Sequence, residues 1–143
     1  MNREDRWMAL DVGQKRIGVA ITDPLKIIAR PLLCLSRQTL EKDVRSIRRL
    51  IQEQAVSCLV VGLPRHLDGR SSALTEMIED LLEKLTEHFS IDVKWCDERL
   101  SSKEAEERMA QLKLPLENRR GLRDAYAAAI ILERFIQEGA SQR

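Results

Sequence analysis

Trp7-Met8-Ala9-Leu10-Asp11-Val12-Gly13-Gln14-Lys15-Arg16-Ile17-Gly18-Val19-Ala20-Ile21-Thr22 is the stretch that decides the fold. Two apolar, β-branched runs, Trp7 to Val12 and Arg16 to Thr22, meet at Gly13-Gln14-Lys15, so strand formers flank a short turn and predict a β-hairpin. Pro24 and Pro31 then bracket a loop, and Leu32 to Ser36 supply a third strand. The chain opens as a three-strand meander.

Beyond the meander the apolar period lengthens from two to 3.6 residues. Thr39 caps a helix whose Leu40, Val44, Ile47 and Ile51 recur at helical spacing, with Arg45, Arg48 and Arg49 mostly on its polar side. Ser57 to Val61 is a continuous apolar run closed by Gly62, as in a central strand buried on both faces, and a loop follows to Arg70. From Ser72, the residues Leu74, Met77, Ile78, Leu81, Leu82, Leu85 and Phe89 keep one face, the strongest helix pattern in the chain. Ile91, Val93 and Trp95 alternate with Asp92, Lys94 and Cys96 as a fifth strand.

Ser101-Ser102-Lys103-Glu104 matches a capping box and starts a short helix that Pro115 ends. Leu116 to Gly121 reads as a polar, arginine-bearing loop, and a last helix runs from about Arg123 to Gln137. Its Ala125, Ala127, Ala128 and Ala129 are small enough to pack closely on a sheet. Right-handed crossovers make strands one, four and five parallel neighbours, with the meander on the other side. The expected architecture is α/β, a five-stranded mixed sheet in the order 3-2-1-4-5 flanked by helices.

A chain of 143 residues, 43% hydrophobic, suits a single domain with a core spanning about residues 7–137. Lys and Arg (24) nearly cancel Asp and Glu (23), and a net charge of +1 excludes indiscriminate coating of nucleic acid. Any nucleic-acid contact must come from local patches. Cys34, Cys58 and Cys96 are odd in number and set in apolar segments, which suits reduced core thiols. Trp7, Phe89, Trp95 and Phe135 likewise sit in apolar patterns and are read as core. The charged MNREDRW start carries no signal-peptide pattern, and no apolar run spans a bilayer, so a cytoplasmic protein without a membrane partner is expected.

Ligands of open sheets bind beyond the carboxyl ends of the parallel strands. Asp11 lies at the end of strand one, Glu98 just past strand five, and Asp124 opens the final helix, so three carboxylates distant in sequence converge on that edge. Singly, each has an ordinary explanation, because Asp is common beside turns and at helix starts. Together they need something to offset their repulsion, and hard divalent cations with oxygen ligands do so. Two Mg²⁺ or Mn²⁺ ions, roughly 4 Å apart, activate a water and stabilise a leaving oxygen, which is the chemistry of phosphodiester hydrolysis.

Leu10-Asp11-Val12-Gly13-Gln14-Lys15-Arg16-Ile17-Gly18-Val19-Ala20, Val61-Gly62-Leu63-Pro64 with Asp68-Gly69, Asp97-Glu98-Arg99-Leu100 and Asp124-Ala125-Tyr126-Ala127-Ala128 occur in that order. In these four motifs the chain resembles the YqgF/RuvX family of pre-16S ribosomal RNA nucleases, also described as Holliday junction resolvase-like, over roughly Trp7 to Ile136. The resemblance implies a ribonuclease H-like fold, a two-metal mechanism, and catalytic acids at Asp11, Glu98 and Asp124. Two departures are mild: Ser101-Ser102 stands where members often have Thr-Thr, and Arg65-His66-Leu67 replaces a more neutral stretch.

Lys15, Arg16, Arg65, Arg99 and Arg123 are the expected substrate-binding residues, with His66, Arg70, Arg119 and Arg120 nearby in sequence. A solvated basic surface explains such residues about as well. Gly13 and Gly18 permit close approach of a phosphate or a metal-bound oxygen, although turn geometry alone accounts for glycines in a hairpin. Asp97, beside Glu98 on an extended segment, points the other way and stays outside the triad. The expected function is a metal-dependent nuclease in 5′-end processing of precursor 16S ribosomal RNA, with ribosomal particles as candidate partners and a monomer or homodimer as the assembly. The alternatives are resolution of four-way DNA junctions and, from another class, a catalytically silent RNA-binding module. Phosphoryl transfer from a nucleotide is disfavoured, because the chain is short for a two-lobed cleft.

Overall fold

The structure is a computed structural model describing residues 5–63, 73–87, 90–97, 107, 110–111 and 116–141. Its elements run β1 (Arg6–Val12), β2 (Arg16–Thr22), β3 (Ala29–Ser36), α1 (Leu40–Glu53), β4 (Val56–Leu63), α2 (Ala73–Thr86), β5 (Asp92–Asp97) and α3 (Leu116–Ser141). The five strands form one sheet in the order β3-β2-β1-β4-β5, as the crossover argument requires. β1 pairs antiparallel with β2 and β2 with β3, whereas β1–β4 and β4–β5 are parallel.

Alternation along the strands divides the core into two layers. Met8, Leu10, Val12, Ile17, Val19, Leu59 and Val61 face α1 and α2, where Ile47, Ile51, Ile78, Leu81 and Leu85 complete one cluster. Ala9, Ala20, Cys58, Val60 and Cys96 face α3 and pack on Ala128, Ala129, Ile131 and Leu132. The alanines on both sides bring α3 close to the sheet. A fully buried Leu or Ile in these layers contributes about 1.5–3 kcal/mol relative to an exposed one. Thr39 caps α1 by accepting a hydrogen bond from the Lys42 amide at 3.2 Å.

Three sequence readings shift. β3 starts at Ala29 and runs through Pro31, because it is an edge strand in which a missing N–H is tolerated; the register slips beside it, between Val19 and Ala20. α3 begins at Leu116, so 116–121 is helical and not a loop. Glu117, Arg119 and Arg120 are good helix formers, and Pro115 stands just ahead of the first turn, outside the helix interior. Trp95 is 43% exposed, since β5 is the other edge of the sheet, whereas Trp7 packs edge-on against Phe135 with ring centroids 5.4 Å apart. Phe89 lies outside the described residues, as do the capping box at 101–104 and most of the helix expected after it; Glu107, Ala110 and Gln111 are helical. Among the described residues, no helix is long and apolar enough to cross a membrane.

Candidate active site

Asp11 is the penultimate residue of β1 and pairs with Gly18 on β2, which pairs with Cys34 on β3. The three make a row across the sheet, on the face of Ala9 and Ala20, beneath α3. Gly18 leaves a gap in this row, and the backbone of α3 fills it. A Cβ at Gly18 would stand 1.9 Å from the Asp124 carbonyl oxygen and 2.2 Å from its carbonyl carbon. The close approach that this glycine permits is therefore made by Asp124 itself.

Seated there, the Asp124 side chain meets two groups from the strands. Arg16, two residues before Gly18 and on the same face, donates from Nε to Asp124 Oδ2 at 2.7 Å. The Cys34 thiol donates to the same oxygen at 3.8 Å. Asp11, Asp124, Lys15, Arg16, Arg123 and the Gly13–Gln14 turn line one open cleft of about 320 Å³. Two carboxylates and three cations thus share one end of the sheet.

The electrostatics follow from these contacts. The hydrogen bond and charge of Asp124 push the Arg16 guanidinium above its ordinary pKa. Burial raises the Cys34 thiol first, and the negative charges of Asp124 and Asp11 raise it further against the opposing effect of Arg16. The thiol is within electrostatic reach of both acids. It is half-buried at the wall of the site, whereas Cys58 and Cys96 are core thiols as expected, and burial pushes Cys58 up to about 11.

The turn that carries Lys15 has its own anchor. Gly13 N–H donates to the Arg16 carbonyl at 2.8 Å and closes the hairpin. Arg37 donates from Nη1 to the Gly13 carbonyl at 3.0 Å, and its backbone amide donates to the Lys15 carbonyl at 2.8 Å. Its Nε also donates to the buried Asp43 carboxylate on α1 at 2.8 Å, and Asp43 accepts the Gln38 amide at 2.9 Å. Arg37 and Asp43 therefore fix the turn against α1, a support that hydrophobic periodicity does not reveal. The only sequence trace of it is a charged residue, Asp43, beside the apolar stripe of an amphipathic helix.

Of the sequence-derived site residues, the structure brings together Asp11, Asp124, Lys15, Arg16 and Arg123. Glu98, Arg65 and Arg99 lie outside the described residues, together with His66 and Arg70. Among the described residues no three His, Cys, Asp or Glu side chains group as metal ligands. Asp11 and Asp124 nevertheless suit a hard cation, because Mg²⁺ commonly takes only one or two carboxylates and keeps several waters.

Comparison with known proteins identifies relatives by sequence and by fold. The profile of the family described as RuvX, Holliday junction resolvase, matches residues 5–138. A protein of Desulforamulus reducens named "Putative pre-16S rRNA nuclease" is 37% identical over 135 residues, covering 94% of this chain and 98% of its own. One of the same name from a Picosynechococcus species is 38% identical over 130 residues, covering 91% and 90%. Among solved structures, the fold resembles RuvC of T. thermophilus in complex with a Holliday junction substrate, with a TM-score of 0.60 at 15% identity, covering 95% of this chain and 96% of that one. The Fowlpox virus resolvase bound to Holliday junction DNA matches with a TM-score of 0.60 at 13% identity, covering 93% and 97%. These two share the ribonuclease H-like fold.

Proposed function

The chain belongs to the RuvX family, a family of nucleases, and on that premise we propose that it is a metal-dependent nuclease whose catalytic acids are Asp11, Glu98 and Asp124. The whole chain acts as one catalytic domain in this reading, and 5′-end processing of precursor 16S ribosomal RNA is its task. The observation that carries the reading is the meeting of Asp11 and Asp124, 113 positions apart, in one cleft edged by Lys15, Arg16 and Arg123.

In this reading Asp11 and Asp124 hold the divalent cation, Mg²⁺ or Mn²⁺, and Glu98, two residues after Cys96, is the third acid. When bound, the metal supplies Lewis-acid activation of water and stabilisation of the leaving oxygen. Lys15 and Arg123 orient the phosphodiester by its non-bridging oxygens. Arg16 holds Asp124 in position before metal arrives, because its guanidinium offsets the repulsion between two nearby carboxylates. Gly18 sets the height of Asp124 over the sheet.

The test compares wild type with Asp11→Asn, Glu98→Gln and Asp124→Asn on a precursor 16S ribosomal RNA fragment and on a four-way DNA junction, each with Mg²⁺, Mn²⁺ or chelator. Metal-dependent cutting of the RNA, lost in all three variants, is the expected result. Preferential cutting of the junction moves the substrate to branched DNA. No cutting of either, with equal RNA binding by wild type and variants, replaces the nuclease with a silent binding module.

A further inference from the structure

On the β3 side of Asp124 lies a second cavity of about 430 Å³, walled by Pro31, Leu33 and Cys34 from β3 and by Leu122, Ala125 and Tyr126 from α3. Its size falls in the range of small-ligand pockets, roughly 300–1,000 Å³. It adjoins the acid cleft: Cys34 lines it while reaching 3.8 Å from Asp124 Oδ2, and Leu122, Ala125 and Tyr126 flank Asp124 in the helix. The two spaces differ in chemistry. The cleft is lined by acids and cations, whereas the pocket has apolar walls, one thiol, and the only tyrosine of the chain.

We propose that this pocket receives an unpaired nucleobase of the nucleotide next to the phosphodiester held at Asp11 and Asp124. The proposal rests on the nuclease reading and adds the substrate class. A phosphate seated beside Asp124 places its own nucleosides to either side, and the one on the β3 side meets this pocket first. A flat heteroaromatic ring with polar edges suits apolar walls that carry one aromatic side chain with a hydroxyl. A base stacked and paired within a duplex has to be unstacked and unpaired before it enters such a space, a cost that an unpaired base avoids, so the site favours strands whose bases are splayed out near the cut. Single-stranded flanks and unpaired branch nucleotides meet that condition, and continuous duplex does not.

The experiment uses the full chain, labelled at leucine methyls and backbone amides, titrated with UMP, AMP and ribose 5-phosphate in Mg²⁺ and followed by NMR. The expected result is that all three shift amides of Lys15 and Arg16, but only the nucleotides shift the Leu33 and Leu122 methyls. The nucleotides should also bind about 5-fold or more tightly than ribose 5-phosphate, the order of a single base–aromatic contact. Tyr126→Ala should abolish that preference while leaving ribose 5-phosphate affinity unchanged, and Tyr126→Phe should retain most of it. Equal affinities, unmoved pocket methyls and a responsive Lys15–Arg16 turn overturn the base pocket and leave the nuclease reading standing. Silence at both places overturns the phosphate cleft as well. The comparison of ligands on wild type decides the matter even if Tyr126→Ala folds poorly.

Discussion

Replacing Gly18 by alanine adds one methyl group where the backbone of α3 leaves no room for it. Its Cβ would lie 1.9 Å, 2.2 Å and 2.9 Å from the Asp124 carbonyl oxygen, the Asp124 carbonyl carbon and the Ala125 nitrogen. All three are backbone atoms, so no rotamer change relieves the clash. Restoring ordinary contact at 3.4 Å requires α3 to lift by about 1.5 Å at Asp124, which parts Ala128 and Leu132 from Ala9 and Ala20 beneath them. Overpacking costs about 1–3 kcal/mol where side chains share the strain, so a clash between rigid elements should reach about 3 kcal/mol. At roughly 3 °C per kcal/mol for a chain of this size, the melting temperature falls by about 10 °C. Withdrawal of Asp124 from Asp11 should also lower metal-dependent cutting by on the order of 100-fold, the usual consequence of misplacing a reacting group by about 1 Å. Thermal melts by circular dichroism, paired with cleavage assays well below the melting point, measure the two effects separately. A variant melting within about 2 °C of wild type, on the scale of that conversion, refutes the claim that Gly18 seats α3.

Arg16→Gln should bind Mn²⁺ up to about 5-fold more tightly by titration calorimetry, because the guanidinium competing for Asp124 Oδ2 is gone and a solvent-screened ion pair is a weak competitor; weaker binding would show that Arg16 does not compete with the ion. Asp43→Ala leaves the partly buried Arg37 guanidinium without its carboxylate and should cost about 3 kcal/mol in urea denaturation; a loss below about 1 kcal/mol, the level of an exposed pair, would mean the anchor is solvated. The Asp23 carboxyl lies below its ordinary pKa because it accepts the Ile28 and Ile27 amides, both at 2.8 Å, with burial acting the other way. Its folded value being depressed, it contributes stability above the unfolded pKa of about 3.9 that is lost as pH falls through the folded value. Asp23→Asn should therefore flatten the acid limb of stability below about pH 4, and identical slopes in urea melts of both proteins would count against the assignment.

The sheet was legible because its strands announce themselves by two different rules. The Trp7–Thr22 hairpin is local, joined through a three-residue turn, and Cys58–Val61 is apolar throughout because it lies between β1 and β5 with a helical layer on each face. Handedness of the crossovers then fixed the order. The two errors of extent, at Pro31 and at 116–121, come from reading turn-prone residues as breaks. Pro31 is accommodated by the edge position of β3, and Gly121 by the 26-residue length of α3, neither of which a local window contains.

The meeting of Asp11 and Asp124 was legible for a related topological reason, since the end of β1 and a last helix folding back over the sheet follow from element order, although Asp124 lies within α3 and does not open it. Their partners were not. Arg16 reads as a phosphate contact when only its hairpin is considered, yet its guanidinium meets a carboxylate 108 positions further on, and Cys34 meets the same oxygen from 90 positions away. Such pairings depend on the height of α3 above β2, and that height is set by the absence of one Cβ at Gly18. A glycine in a hairpin carries no mark that distinguishes a turn requirement from a packing requirement. The distinction appears only when the residue on the neighbouring strand points the same way: Gly18 sits opposite Asp11, in mid-strand and not in the turn, where a left-handed backbone is not needed and a missing side chain has to be explained by what occupies its place. Read that way, a mid-strand glycine paired across from an acid is itself a sequence-level sign that another backbone closes over the site.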